Sequence, residues 1–241
     1  EFGLGGDLVV FMGYDGADQV GLYVRNLNTN TLSVFADSST PSPFPGPPAT
    51  LTSLYEPMIR DGRVSAKASD SNGNKGLLTD FGQGLVAPVN DTATAPNGLG
   101  QFNGFDESSI DGNQVVFQGY TTGGGGAGVY LYDHSNGTFT AIADETIPRP
   151  GGGFFEGFCG NPSLSVANGV TTVIFKSSGT APSGIWAWID GTLIEIAAAG
   201  DLLDGRTVTS VNTDFPYGIE GSDTAIHLYF ADGTQALYYA D

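Results

Sequence analysis

The stretch GFFEGFCGNPSLSVANGVTTVIFKSSGTAPSGIWAW, from Gly153 to Trp188, contains one copy of a pattern that recurs along the chain. It reads as an aromatic pair after glycines, a short strand, a polar turn, an apolar strand, a Gly/Ser loop and another apolar strand. β-Branched and aromatic residues without a helical period are typical of strands. The stretch therefore predicts an all-β fold with almost no helix.

The recurrence of this pattern predicts the architecture. An apolar second strand begins in turn at Leu8, Arg63, Gln114, Thr172 and Ile226. A third strand follows each time, and it begins at Gly21, Gly76, Gly128, Gly184 and Ala236. Successive third strands are about 52 to 56 residues apart, and a four-stranded unit at such a period is typical of a β-propeller.

The remaining strands of each unit are marked by turns and by apolar pairs. Asn-Gly and Asp-Gly turns, as in Asp190-Gly191, favour a hairpin into a fourth strand. The fourth strands begin at Leu32, Leu85, Phe139 and Leu193. Pro88 indicates that the fourth strand is an edge strand, because proline cannot donate a ladder hydrogen bond. A Pro/Gly loop then leads to a first strand that carries an apolar pair, as in Leu51/Leu54, Phe102/Phe105, Phe155/Phe158 and Val208/Val211.

The number of blades follows from this count. The second and third strands each occur five times, so we predict a single β-propeller domain over residues 1–241, with five blades of about 54 residues. Glu1-Phe2 receives no weight, because such a pair can come from a cloning vector. The first unit is then expected to lack its opening strand and the last its outer strand. Four blades, with the two chain ends sharing one, is the alternative; a solenoid or sandwich pair gives similar strand counts.

Composition restricts the partners. Eight Lys and Arg against 26 Asp and Glu give a formal net charge of -18, which repels nucleic acid and anionic lipid. No apolar run approaches the roughly 20 residues of a membrane span. Cys159 is the only cysteine, so no intrachain disulfide can form. The first residues do not read as a signal peptide. The balance suits a secreted, extracellular monomer.

The unit resembles one found in uncharacterised secreted bacterial proteins with tandem, glycine-rich, propeller-like repeats. The best match runs from Ala143 through the glycines at 151–153 and Phe155 to Gly184-Ile185-Trp186. The stretch from Asn90 to Phe105 matches next best, whereas residues 35–54 have prolines in place of the glycines. The resemblance implies a propeller and a secreted setting, and it implies no catalytic residues.

Polar residues that follow the apolar pairs are candidate metal ligands. They are Glu56, Glu107, Asn161 and Asp214. First strands line the central channel of a propeller, so these side chains are expected near its axis, where carboxylate and amide oxygens suit Ca²⁺. The alternative, which we rank higher, is that they are solvated or bonded to the backbone at the channel mouth. Asp70 to Asn74 also resembles the start of a Ca²⁺ loop, but a turn-rich hairpin explains it better.

Aromatic residues in the loops are candidate ligand contacts. We select Tyr55, Phe154, Trp186, Trp188 and Tyr217 as a sugar-stacking set, with packing between blades as the alternative for the tryptophans. No motif of a catalytic triad, zinc protease, dinucleotide site or P-loop occurs. The leading hypothesis is therefore a lectin-like module that recognises a glycan or other cell-surface ligand without catalysis.

Two other functions stay open. A polysaccharide lyase or glycoside hydrolase would need a carboxylate site in the channel, for which Glu107 is a candidate. A structural or protein-interaction module would need no such site.

Overall fold

In the computed structural model the chain is built almost entirely of β-strands. The structure describes residues 2–14, 16, 19–123, 126–179, 182–212, 219–220 and 223–240. Within these ranges the only helical turn is a 3₁₀ turn at Pro96–Gly98, which confirms the all-β prediction. No helix in these ranges has the length and apolar character that a membrane crossing requires.

The described strands form five sheets, which we number in chain order. Sheet 1 contains β1 (Phe2–Gly5), β2 (Leu8–Tyr14), β3 (Val20–Asn26) and β4 (Thr31–Asp37). Sheet 2 contains β5 (Leu51–Arg60), β6 (Arg63–Asp70), β7 (Lys75–Asp80) and β8 (Leu85–Asn90). Sheet 3 contains β9 (Phe102–Asp111), β10 (Gln114–Thr121), β11 (Ala127–Asp133) and β12 (Thr138–Ala143).

The last two sheets have a divided first strand. Sheet 4 contains β13 (Gly157–Phe158), β14 (Ser163–Ala167), β15 (Val170–Ser178), β16 (Gly184–Ile189) and β17 (Thr192–Ala198). Sheet 5 contains β18 (Leu202–Leu203), β19 (Arg206–Asn212), β20 (Ile219–Glu220), β21 (Asp223–Phe230) and β22 (Gln235–Ala240). In both sheets the two pieces of the first strand pair with the same neighbour, β15 or β21.

Each sheet is antiparallel and built from strands that follow one another in the chain, as in the blades of a propeller. The predicted second, third and fourth strands are all present, and Pro88 lies on the edge strand β8. In the described ranges no strand of sheet 1 pairs with a strand of sheet 5. Five sheets agree with the predicted five-unit repeat, whereas the number of blades in a closed ring stays a prediction.

One expectation about the first unit was wrong. Sheet 1 does have an opening strand, because β1 pairs with β2 in the register Phe2↔Phe11 to Gly5↔Leu8. Sequence reasoning missed it because the strand is only four residues long and half glycine, and because Phe2 was set aside. The last described strand, β22, is the third strand of the last unit.

The hydrophobic core lies between successive sheets. Phe102, Phe117 and Tyr130 of sheet 3 pack against Leu77 and Val89 of sheet 2. Equivalent layers join sheets 1 and 2, sheets 3 and 4, and sheets 4 and 5. Each sheet between two others thus buries both of its faces, which explains the nearly continuous apolar runs of the second strands.

The glycine that opens the third strand has a steric reason. Tyr130 is fully buried, and its ring folds back over Gly128 two residues earlier. A Cβ added at Gly128 would lie 2.5 Å from the Tyr130 hydroxyl oxygen, which is far inside van der Waals contact. Trp186 lies over Gly184 in the same way. The recurring Gly-x-aromatic motif is therefore a packing device of the repeat.

Sheets 1 and 5 differ from the inner three in that each leaves one apolar face open. On sheet 1, Phe2 is 74% exposed and Leu4 49%. On sheet 5, Leu237 is 66% exposed and Tyr239 68%. Among the described strands, none of sheet 5 packs extensively against sheet 1.

Candidate functional site

The first strands of sheets 2, 3 and 4 lose their regular pairing at corresponding points. The register of β5 against β6 shifts between Tyr55 and Met58. The register of β9 against β10 shifts at Asp106 and Glu107. In sheet 4 the strand is split into β13 and β14, and Asn161 lies between the two pieces. Bulges and breaks re-aim side chains, so they present these polar groups away from the regular pleat.

The bulge of β5 is strained at Glu56. This residue has a φ of 51°, in the left-handed region that side chains other than those of Gly, Asn and Asp rarely adopt. Such strain persists only where the surrounding contacts hold it, and it is more common at functional sites than elsewhere. It directs Glu56 toward Lys67, and the preceding Tyr55 remains 43% exposed.

A polar network joins the bulges of sheets 2 and 3. The Lys67 ammonium lies 3.0 Å from both carboxylate oxygens of Glu56 and 3.6 Å from Oδ1 of Asp106. The Tyr120 hydroxyl donates to Oδ2 of Asp106 at 2.6 Å, and Gln118 Nε2 donates to that hydroxyl at 3.0 Å. The network spans two sheets, and one cation serves two carboxylates.

The network favours the protonated forms of Lys67 and Tyr120. Burial lowers the pKa of Lys67, but its hydrogen bond and charge interaction with Glu56, reinforced by Asp106, outweigh burial and raise that pKa. The hydrogen bond from Tyr120 to Asp106, together with burial, raises the pKa of the phenol. Both side chains therefore act as donors at neutral pH and neither acts as a base.

The predicted metal ligands that are described make two sets of contacts. Glu56 is held by Lys67 in the network above. With its amide nitrogen turned toward sheet 3, Asn161 donates to both carboxylate oxygens of Glu107, at 2.6 Å from Oε1. Asp214 lies outside the described residues. Among the residues that are described, no group of three or more His, Cys, Asp or Glu side chains that could hold a metal ion was found.

Tyr55 separates two clefts. The first lies between sheets 1 and 2 and has a volume of about 410 Å³. Its described lining residues that carry hydrogen-bonding side chains are uncharged: Tyr14, Gln19, Ser38, Thr50, Thr52 and Tyr55. Tyr14 is 61% exposed, so two aromatic rings border a cleft that otherwise offers hydroxyl and amide groups.

The second cleft lies between sheets 2 and 3 and has a volume of about 260 Å³. Its lining includes Tyr55 and Phe105 as aromatic groups, Asn103 as an amide, and the cations Lys67 and Lys75. Because Tyr55 borders both spaces, we call the two clefts together the Tyr55 groove. The groove combines ring faces, amides, hydroxyls and ammonium groups, which is the chemistry that orients a polar, ring-shaped ligand.

The other predicted ligand residues lie elsewhere. Trp186 is fully buried between sheets 3 and 4 and donates its Nε1 hydrogen to Ser177 Oγ at 2.8 Å. Trp188 packs, partly buried, against the same cluster. Both tryptophans thus follow the packing alternative. Phe154 is exposed, but it lies in the loop before sheet 4 and borders neither cleft. Tyr217 lies outside the described residues.

Sequence reasoning selected only Tyr55 among the residues of the groove. It missed Tyr14, Lys67, Lys75 and the Asp106–Tyr120 pair, because these residues are brought together across sheets rather than within one motif. A usable signal was present in the composition, since Lys67 and Lys75 are two of only eight Lys and Arg residues.

Comparison with known proteins places the chain in a family and in a fold. The model of a family of unknown function, DUF7453, matches residues 8–233. A comparison with curated protein sequences found no significant match.

Solved structures with a similar fold share little sequence with the chain. TolB from Acinetobacter baumannii superposes with a TM-score of 0.52 at 16% identity, over 100% of this chain and 54% of TolB. The β-propeller domain of the Trilobed protease from Pyrococcus furiosus gives 0.54 at 13%, over 100% of this chain and 68% of that one. An oligogalacturonate lyase in complex with manganese gives 0.54 at 12%, over 99% and 64%. The chain thus spans just over half of TolB, and these likenesses establish a β-propeller fold alone.

Proposed function

The chain belongs to this family of unknown function, DUF7453, and from its propeller fold and its Tyr55 groove we propose that it is a glycan-binding module without catalytic activity. The observation that carries the proposal is the pair of exposed rings, Tyr14 and Tyr55, on a cleft of about 410 Å³ whose described lining residues are uncharged. We further propose that the module acts outside the cell, where such glycans are accessible.

The chemistry of the first cleft supports a saccharide. A pyranose ring has an apolar face of C–H groups and an equatorial rim of hydroxyls. Tyrosine offers a flat apolar surface with a polar edge, and it loses little conformational entropy on binding. Ser38, Thr50 and Thr52 add hydroxyls that can both donate and accept. None of the described residues that line this cleft carries a charged side chain, which suits a neutral sugar unit.

The strained bulge at Glu56 also supports a binding role for this region. Tyr55 is the residue just before the bulge, on a strand otherwise paired to β6. Its placement therefore does not depend on a flexible loop. A rigid platform lowers the entropy cost of binding.

Protonation supports binding rather than turnover. A lyase needs a base to remove a proton from the sugar ring, and a hydrolase needs a carboxylic acid beside a carboxylate. The contacts of Lys67 and Tyr120 raise the pKa of both, so neither is a base at neutral pH. Glu56 and Asp106 are both engaged by Lys67.

The test is calorimetric titration with neutral oligosaccharides, after a glycan array has selected the best binder. We expect Tyr55→Ala and Tyr14→Ala each to weaken binding by about tenfold, which corresponds to about 1.4 kcal/mol. Tyr229→Ala is the matched control, because Tyr229 is also exposed but lies on sheet 5 and lines neither cleft. The control should bind as the wild type does.

Two outcomes would contradict the proposal. One is the absence of binding to any sugar on the array, measured with Ca²⁺ and again with a chelator. The other is binding that neither tyrosine variant weakens. Release of product from a polysaccharide panel, lost in Glu107→Gln, would favour the enzymatic alternative.

A further inference from the structure

We propose, resting on the glycan binding above, that the second cleft takes an acidic sugar unit and that Lys75 pairs with its carboxylate. The ligand class is then a uronic-acid-containing oligosaccharide that lies along the Tyr55 groove. Its neutral unit occupies the first cleft and its acidic unit the second. Lys75 would then determine specificity, because its ion pair raises the affinity for an acidic unit above that for its neutral counterpart.

The placement of cations on this chain carries the inference. The whole sequence has 8 Lys and Arg against 26 Asp and Glu, yet two of the eight line one cleft of about 260 Å³. None of the described residues that line the neighbouring first cleft is charged. On a surface of strongly negative charge, a cleft with two ammonium groups is the place where an anionic group is best tolerated.

Lys75 is available for a ligand. It is exposed at the start of β7, and its backbone nitrogen donates to Asp91 Oδ2 at 3.2 Å. Its side chain takes part in none of the ion pairs found among the described residues, which are Arg60–Asp111, Lys67–Glu56, Lys67–Asp106 and Arg206–Asp204. The ammonium carries three donors and can therefore bind a carboxylate without breaking an existing pair.

Lys67 has a different task in the same cleft. It binds the carboxylates of Glu56 and Asp106 and so reduces their repulsion of an incoming anion. The charge of Lys67 is therefore neutralised by carboxylates of the protein, whereas Lys75 forms none of the ion pairs found among the described residues. Tyr55 and Asn103 remain to contact the sugar ring and its hydroxyls.

The experiment compares two ligands that differ in one group. A disaccharide that ends in glucuronic acid and the same disaccharide with its carboxyl reduced to the alcohol are titrated into the full chain. We expect the acidic form to bind about fivefold more tightly, the range of a solvent-accessible ion pair. Lys75→Gln should remove this preference while it leaves the affinity for the neutral form unchanged. Lys75→Arg should retain it, and Lys176→Gln, which lines neither cleft, should have no effect.

The outcomes separate this inference from the proposed function. Equal affinity for the two disaccharides, with no effect of Lys75→Gln, would overturn the acidic specificity and leave glycan binding standing. Failure of both disaccharides and of every neutral oligosaccharide to bind would overturn both. A preference for the acidic form that survives Lys75→Gln would place the carboxylate elsewhere and would also refute the assignment.

Discussion

Arg60 on sheet 2 holds Asp111 on sheet 3 by an ion pair of 3.2 Å between Nε and Oδ2. The same guanidinium donates from Nη1 to the carbonyl oxygen of Leu164 on sheet 4 at 2.6 Å. Asp111 in turn accepts a hydrogen bond from the Val166 nitrogen at 2.8 Å. Two side chains thus tie three first strands together, at the ends of the strands away from the Tyr55 groove.

This tie predicts that Arg60→Met lowers stability. The Asp111 side chain is only 7% exposed, so loss of its cation would leave a nearly buried charge without its partner. We expect the free energy of unfolding to fall by about 2 kcal/mol. Urea denaturation measures the change, with the exposed Arg25→Met as control. An equal, small effect of both substitutions would show that the tie contributes nothing.

The ring of Tyr130 over Gly128 predicts a second effect on stability. Gly128→Ala places a methyl group 2.5 Å from the Tyr130 hydroxyl oxygen, in a core where the ring cannot move aside. Overpacking of this kind costs about 1–3 kcal/mol. Gly16→Ala is the control, because a Cβ there meets no atom of the described residues within 4 Å. Thermal unfolding that is unchanged in Gly128→Ala would contradict the packing account of the repeated glycine.

Asp70 predicts a dependence of stability on pH. Burial raises the pKa of Asp70, but hydrogen bonds from Asn74, Ser42 and Asn72 outweigh burial and hold that pKa below its ordinary value of 3.8. A carboxyl whose pKa is lower in the folded state stabilises the fold above pH 3.8, and the contribution is lost as pH falls through the folded value. The loop from Asp70 to Asn74 is therefore held by its own hydrogen bonds, in keeping with the hairpin interpretation.

The measurement is the free energy of unfolding of Asp70→Asn against wild type. The difference should be about 2 kcal/mol at pH 7 and should shrink as the pH falls below the ordinary pKa of 3.8 toward the lower pKa of the folded state. Asp61→Asn is the control, since Asp61 is exposed and its left-handed backbone also suits asparagine. A difference that is constant with pH would refute the assignment.

The burial of Trp186 predicts that its substitution lowers stability without weakening ligand binding. Trp186→Phe removes part of a fully buried ring and leaves the Ser177 hydroxyl, which is also buried, without its donor. We expect a cost of about 2–3 kcal/mol in urea denaturation, and a smaller one for the half-buried Trp188→Phe. Sugar titration should give the same affinity in both variants. A weaker affinity in Trp186→Phe alone would return this residue to the ligand set.

The strands could be predicted because their signals are local. Residue type alone predicts the buried second strands, as in Leu8 to Phe11, Gln114 to Phe117 and Thr172 to Phe175. The Gly-x-aromatic motif predicts the third strand that follows each of them. The groove could not be predicted from the sequence, because Tyr14, Tyr55 and Lys75 lie on three different strands or at their ends. They come together only when sheet 2 packs against both sheet 1 and sheet 3. The strained φ of Glu56 also has no signature in the sequence.

The open apolar faces of sheets 1 and 5 predict unequal local stability along the described part of the chain. Each inner sheet is stabilised by two neighbours and each terminal sheet by one, so nearest-neighbour coupling sets a gradient of local free energy along the chain. Hydrogen exchange should reveal this gradient: amides of β10 and β6 should exchange only on global unfolding, and those of β2 and β21 through fraying at lower cost. The three sheets that form the Tyr55 groove would then differ in local stability, and the sheet that carries Tyr14 would be the least stable of the three.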